Sequence, residues 1–284
     1  MRPVAVVTDS TASLPAGLVA AAEVVVVPLD VVIDGVAHRE GVDVSPAQIV
    51  AALLAGAEVR TAHPGPEVFA RAYAHVAARG AAEIVSVHLS GELSGTVTTA
   101  GLAAQTAVVP VHVVDSRTVA MGLGFAVLAA ARVAAEQELP DGAAVARAAE
   151  QRANGTSVRF TVDTLEHLRA GGRLGALSAA LGGVLGLRPV LSVRDGRLEV
   201  VEKVRTSARS RERVTELALD DATRRARCEL AVHYLGDPAP ARQVAEALAD
   251  SCHPRPQAVH VAEISAVIGA HAGPGLLAVV VADA

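Results

Sequence analysis

Tryptophan is missing from this 284-residue chain, and its aromatic residues are three phenylalanines and two tyrosines. Single-stranded nucleic acid is held largely by stacking bases on aromatic rings, so that function class has little to work with. The one clearly basic stretch, EKVRTSARSRERV at residues 202–214, is short, mixed in sign and free of aromatics. That is the pattern of a solvated helix face, and no nucleic-acid partner is expected. Cysteine is scarce as well. Cys228 and Cys252 stand alone, neither in a CxxC pair, which argues against a disulfide framework and a zinc site and fits a reducing cytoplasm. The ten histidines show no HExxH or related spacing, so no metal is expected. Long apolar runs are lacking too. The longest uncharged one, residues 174–187, is too short to span a bilayer and is broken by glycines. The opening MRPVAVVTDS reads as a strand and not as a signal peptide. The expectation is a soluble, cytoplasmic protein without stable membrane insertion.

What the chain does have is 51% hydrophobic residues and a net charge of −5. With so few rings, the core must be built from Ala, Val and Leu, which pack closely and can also line a narrow apolar cavity. The length suits two domains or one large α/β unit.

The first half alternates strand-like and helix-like segments. PVAVVT ends in Asp9-Ser10, and Pro15 opens a helix. EVVVVPLDVVI is strand material that an Asp34-Gly35 turn could fold back as a hairpin. DVSPAQIVAALLAG has Ser45 as N-cap, Pro46 at the first helical position and Gly56 at its end. PEVFARAYAHVAARG repeats that grammar; EIVSV, VHVVD and the helices around them continue it. Such alternation indicates βαβ units around a parallel sheet. After a helix near residues 141–153 the grammar changes. LRPVLSVRDGRLEVVEKV is strand, Asp-Gly turn, strand, and TLEHLRAGGRLGALSAALGGVLG is helix, Gly-Gly break, helix. CELAVHYL and GLLAVVVAD are further strands. We therefore expect an α/β protein of two domains divided at Asn154-Gly155. Residues 1–155 form a parallel-sheet α/β domain and residues 156–284 an α/β domain with an antiparallel or mixed sheet.

HLSGELSGTVTTA, residues 88–100, raises the functional question. Ser94, Gly95 and Thr96 fall where a helix begins after a strand. Helix-start N–H groups lack internal acceptors and the helix dipole favours an anion there. A plain Ser N-cap explains the same residues, and both readings stand at this point. The stretch is no Walker loop, because GxxxxGK[ST] occurs nowhere, and no nucleophile elbow, because Leu93 precedes Ser94 and Gly95 follows it directly. MGLGFAV lacks the third glycine of a dinucleotide fingerprint. Asp9-Ser10 and Asp115-Ser116 follow strands, and helix capping is their ordinary role. TAHPGPEVF offers Thr61 as a second hydroxyl in a tight loop. VIGAHAGPG offers His271 in a glycine-flanked loop, able to donate to a carboxylate or act as a base. A triad of Ser94, His271 and Asp115 can be written, but nothing in the spacing supports it. GGRLG gives Arg173 a Gly-rich perch, and Arg is a natural bidentate partner for carboxylate or phosphate.

These segments together resemble the DegV family, bacterial fatty-acid-binding proteins that serve fatty-acid kinase. The matching stretches are TDSTASLP, TAHPGPEVFARAY, VHLSGELSGTVTTA, VDSRTVAMGLG, the run from Thr164 to Thr206, and IGAHAGPG, in family order from residue 8 to residue 275. The resemblance implies a non-catalytic carrier, with no cofactor of its own, that buries one long-chain fatty acid between two domains. Its kinase partner would phosphorylate the carboxylate with ATP for phospholipid synthesis. It implies that Thr61 and Ser94, with Gly95 and Thr96 beside it, bind the carboxylate. His271 would lie next to it, Arg173 near the mouth, and Arg205 in KVRT would engage the kinase. Three positions depart from the family pattern. Ala62 stands for the usual Ser, Gly91 for the usual second Ser before LSGT, and Val97 for the usual aromatic after it. The donor set is thinner for this, and chain-length preference is not transferable. Two other functions stay open: a Ser94/His271 enzyme acting on a small ester or phosphate, and a lipid-sensing regulator with the same pocket.

Overall fold

The structure, a computed structural model, describes residues 2–136, 141–175 and 188–284. Its first sheet is four-stranded and parallel, ordered β2-β1-β6-β7, from β1 (Val4–Asp9), β2 (Val25–Val27), β6 (Glu83–His88) and β7 (Val111–Asp115). β1 is buried along its whole length, as an unbroken apolar run covered on both faces should be. Its pleat divides the covering helices. Val4 and Val6 face a core shared with α5 (Met121–Glu136) and α6 (Gly142–Asn154). Ala5 and Val7 face α3 (Pro66–Ala78) and α4 (Thr96–Ala104), where Phe69 and Tyr73 lie.

A small antiparallel sheet, ordered β4-β3-β5, joins β3 (Asp30–Ile33), β4 (Val36–Arg39) and β5 (Val59–Ala62). EVVVVPLDVVI thus serves two sheets: β2 ends before Pro28, which has no N–H to give a ladder, and β3 starts after it. Asp34 and Gly35 have φ of 47° and 82°, the left-handed pair of a tight hairpin. Ser45 caps α2 (Pro46–Leu54) in a reciprocal box with Gln48.

From residue 156 onward every strand among the described residues enters one six-stranded mixed sheet, β10-β9-β8-β13-β11-β12. These are β8 (Thr156–Thr161), β9 (Arg188–Arg194), β10 (Arg197–Val204), β11 (Cys228–Tyr234), β12 (Val259–Glu263) and β13 (Leu277–Asp283). All pairings are antiparallel except β11 with β12. α8 (Ser207–Thr223) and α9 (Ala239–Ser251) pack on one face through Val214, Ala218, Ala241 and Leu248. α5 lies on the other, and its nearly continuous apolar sequence is explained by that position. Leu123, Ala126 and Val127 join the parallel-sheet core, while Met121 and Phe125 join the core of the mixed sheet. The expected α/β class, one parallel and one mixed sheet, is the observed one.

Three elements escape the sequence reading. β5, taken there as a loop, is a short strand whose Arg60 and Thr61 show no apolar alternation. β12 is likewise short. α10 (Ala266–Ala272) occupies what reads as a tight loop around His271; Ser265 caps it through Ile268 N. The helix half of GGRLGALSAALGGVLG beyond Gly175 lies outside the described residues; the first half is α7 (Glu166–Ala170).

Candidate functional site

α10 builds much of the site. It follows β12 of the mixed sheet, yet Ala266, Val267 and Ala270 pack into the core of the parallel sheet. Its start is held by side chains remote in sequence. Ser13 Oγ accepts from Ser265 N at 3.1 Å, and the Glu40 carboxylate accepts from Ala266 N. Glu40 is 8% exposed, and its second oxygen has no hydrogen-bond partner among the described residues. Burial raises its pKa above the usual carboxylate range, against the lowering effect of Ser10 and the helix N–H groups. Nothing in the sequence marks Glu40, because its partner lies 226 residues away.

Val267, Ile268, His271 and Ala272 of α10 form one wall of a narrow cavity between the parallel and mixed sheets. Val158, Phe160, Val193, Leu198 and Ala278 of the mixed sheet form another, and Leu89, Leu93, Val119 and Ala120 close it. The lining is aliphatic except for Phe160 and five polar residues: Thr11, Thr61, Ser94, Arg173 and His271. Four of the six predicted ligand residues therefore meet at one cavity.

Their contacts are specific. Thr61 Oγ1 lies 2.7 Å from His271 Nε2. Nδ1 of that ring is buried without a hydrogen-bond partner among the described residues. Burial, and then the nearby Arg173 cation, push the His271 pKa down to about 4, so the imidazole is neutral at pH 7. Arg173 follows α7, where its Nε and Nη2 donate to Leu93 O at 3.2 and 3.1 Å. This ties the turn after α7 to the Ser94 loop. Ser94 Oγ accepts from Thr96 N at 3.3 Å and lies 2.9 Å from Thr96 Oγ1.

Two predicted residues stand behind the cavity. Thr96 is fully buried as a partner of Ser94 and does not line the wall. Gly95 borders an outer cleft, and the space a side chain would take there lies against the His63 ring, 3.2 Å from a Cβ position. The glycine makes room for His63. Arg205 is exposed after β10, away from the cavity lining.

The glycines of HAGPG and AGGR have a shared reason. A Cβ on Gly171 would lie 2.0 Å from His271 Nδ1, and one on Gly273 would lie 2.0 Å from His167 Cδ2. Each histidine rests on the other segment's glycine. Gly273 also has a φ of 76°, which a side chain would strain.

The catalytic triad is not formed. His271 Nε2 is taken by Thr61, while Asp115 Oδ1 accepts from Arg117 N at 2.8 Å and Gly91 N at 3.2 Å. Asp9 caps Thr11 N and also reaches His88 Nδ1 at 2.9 Å. His88 continues through Ser86 to Tyr73 in a fully buried chain that supports Thr11 and Leu89 behind the cavity. Among the described residues there is no metal-ligand cluster and no helix long and apolar enough to cross a membrane.

Residues 3–284 match the family described as "Uncharacterised protein, DegV family". The chain belongs to the DegV family. A DegV domain-containing protein of Streptomyces coelicolor is 47% identical over 282 residues, 99% of each chain. Two solved DegV-family structures superpose over the full length of both chains with a TM-score of 0.90. They are a Thermus thermophilus protein, 36% identical, and a Bacillus subtilis protein, 26% identical. Both of those DegV proteins are described as binding fatty acids.

Proposed function

We propose that this DegV-family chain binds a single long-chain fatty acid, tail in the cavity and carboxylate at Thr61, Ser94 and His271. It then serves as a cytoplasmic carrier that presents the carboxylate to a fatty-acid kinase for ATP-dependent acyl-phosphate formation, without catalysis or cofactor of its own. The supporting observation is an aliphatic cavity that ends in two hydroxyls, a neutral imidazole and a guanidinium. Placing the imidazole proton on Nε2 lets it donate to Thr61 Oγ1, which frees the Thr61 hydroxyl proton for a carboxylate oxygen. Ser94 supplies a second hydroxyl, and Arg173 a cation at the edge. A tail of ~15 methylenes gains roughly 12 kcal/mol on full burial, at about 0.8 each. Ordering and association costs remove several of these, and tight binding survives.

The test is solvent extraction of the purified protein with mass spectrometry, followed by uptake of labelled fatty acid after delipidation. A co-purifying or titratable acyl chain is expected, and Ser94→Ala should weaken binding about 10- to 100-fold, the worth of one hydrogen bond to a charged group. Absence of both bound and bindable fatty acid would overturn the reading, as would ester or phosphate turnover by the protein alone that Ser94→Ala abolishes. Arg205→Glu should leave lipid binding intact and lower phosphorylation in a reconstituted kinase assay. Unchanged phosphorylation removes the docking role and favours a lipid sensor.

A further inference from the structure

Beyond the acyl cavity, a second cleft is lined by polar groups from both halves of the chain. On β8, Arg159 lies between Val158 and Phe160, which face the acyl cavity, so it projects from the opposite face of the sheet. The antiparallel register sets Arg159, Ser192 and Glu199 side by side across β8, β9 and β10. Arg194 is one diagonal step from Arg159, within reach for long side chains. Arg117, from the loop after β7, joins them: its Nη2 donates to Asp195 O at 2.8 Å. Ser116, Arg117, Arg159, Ser192, Arg194 and Glu199 line the same cleft.

Arg152, Arg209, Arg213 and Arg225 each hold a carboxylate. Arg117, Arg159 and Arg194 form no ion pair among the described residues, although Glu199 is a near neighbour of Arg159. The other carboxylate facing Arg159, Asp221, is occupied by Arg225 and Ser157. Arg159 is partly buried, and the one hydrogen bond of its side chain among the described residues is to the carbonyl of Val158 at 3.2 Å. A partly buried cation whose neighbouring carboxylates make no ion pair with it is poorly compensated, and guanidinium forks beside hydroxyls are the donor set that phosphate oxygens take.

We infer that this cleft binds a phosphate-bearing anion through Arg159, Arg194 and Arg117, with Ser192 as a hydroxyl partner. The site is separate from the acyl cavity, with which it shares Val193 alone. The phosphate could belong to a soluble metabolite or to a lipid headgroup; both present the same oxygens.

Sodium phosphate is titrated into the full-length protein at ionic strength held constant with sodium chloride, and the arginine Nε–H resonances and heat are followed. A saturable response is expected, weakened at least tenfold by Arg194→Gln, an exposed position that leaves the fold intact, and by Arg159→Gln. Fatty-acid binding should be unchanged in both variants. Flotation with phosphatidylcholine vesicles with and without phosphatidic acid then separates the sources. Arg194-dependent capture by phosphatidic acid assigns a headgroup, and response to phosphate without capture assigns a soluble ligand. No saturable response beyond that to chloride, or one that Arg159→Gln and Arg194→Gln leave unaltered, overturns the inference.

Discussion

Acidifying the lipid-free protein from pH 6.5 to pH 4 is expected to remove roughly 5 kcal/mol of stability through two buried histidines, about 2.5 from each. His233 and His271 are both pushed down to about 4 from an ordinary 6.5, in each case mainly by burial. The unfolded chain binds protons at these positions below pH 6.5 and the folded chain does not until about pH 4. Their contribution is therefore complete above 6.5, is lost as pH falls through that window, and levels off below it. His233 is locked neutral by geometry: its Nε2 accepts from Met121 N at 3.1 Å and Nδ1 donates to Ala262 O at 3.0 Å. A second proton would break the first of these bonds, which holds the start of α5. Glu40 works with the opposite sign, since its raised pKa favours the folded state as pH falls, and it blunts the loss. Urea unfolding at pH 7, 6, 5 and 4 measures the effect. His271→Asn should remove about half of the slope, and an unaltered profile would contradict the assignment. In the proposed binding mode a fatty-acid carboxylate beside His271 would oppose the depression, so protein loaded with fatty acid should be less acid-sensitive than the delipidated one.

Gly171→Ala is expected to disable ligand binding through His271 alone. Gly171 has φ −76° and ψ −3°, which alanine adopts freely, so backbone strain plays no part. Its new methyl carbon would lie 2.0 Å from His271 Nδ1, well inside contact distance, and the ring must move off Thr61. Overpacking of this kind costs about 1–3 kcal/mol, and fatty-acid affinity should fall at least tenfold with the loss of the Thr61–His271 bond. The neighbouring position supplies the control. Gly172 has φ 74° and open space where its Cβ would point, so Gly172→Ala should cost about 1 kcal/mol of stability while leaving affinity unchanged. Calorimetric titration with a fatty acid separates the two, and equal affinities would show that the imidazole tolerates displacement.

Local chemistry made much of this molecule readable. Capping at Ser45, the Asp-Gly turns at 34–35 and 195–196, and the buried apolar runs of β1 and β6 each depend on residues within a few positions of one another. Ser94 at the entry to α4 belongs to the same class. The elements that misled are those whose stability comes from elsewhere. Thr61 reads as a loop residue because β5 has little strand pattern of its own and is held by pairing with β3. His271 reads as a loop residue because α10 is short and rich in small residues; Ser13 and Glu40, far back in the chain, support its start.

By itself the sequence determined the α/β class, the order of parallel and hairpin-built segments, a core built mostly of aliphatic side chains and the motif set that carries family membership. Tertiary structure decided which hydroxyl faces which histidine, why Gly171 and Gly273 must lack side chains, and which arginines lack carboxylate partners among the described residues. The reason is physical. Propensities, caps and turns act over a few residues and leave a trace in the local sequence. Burial, pKa shifts and side-chain contacts depend on groups brought together from residues as distant as Thr61 and His271, and they exist only once the sheets have packed.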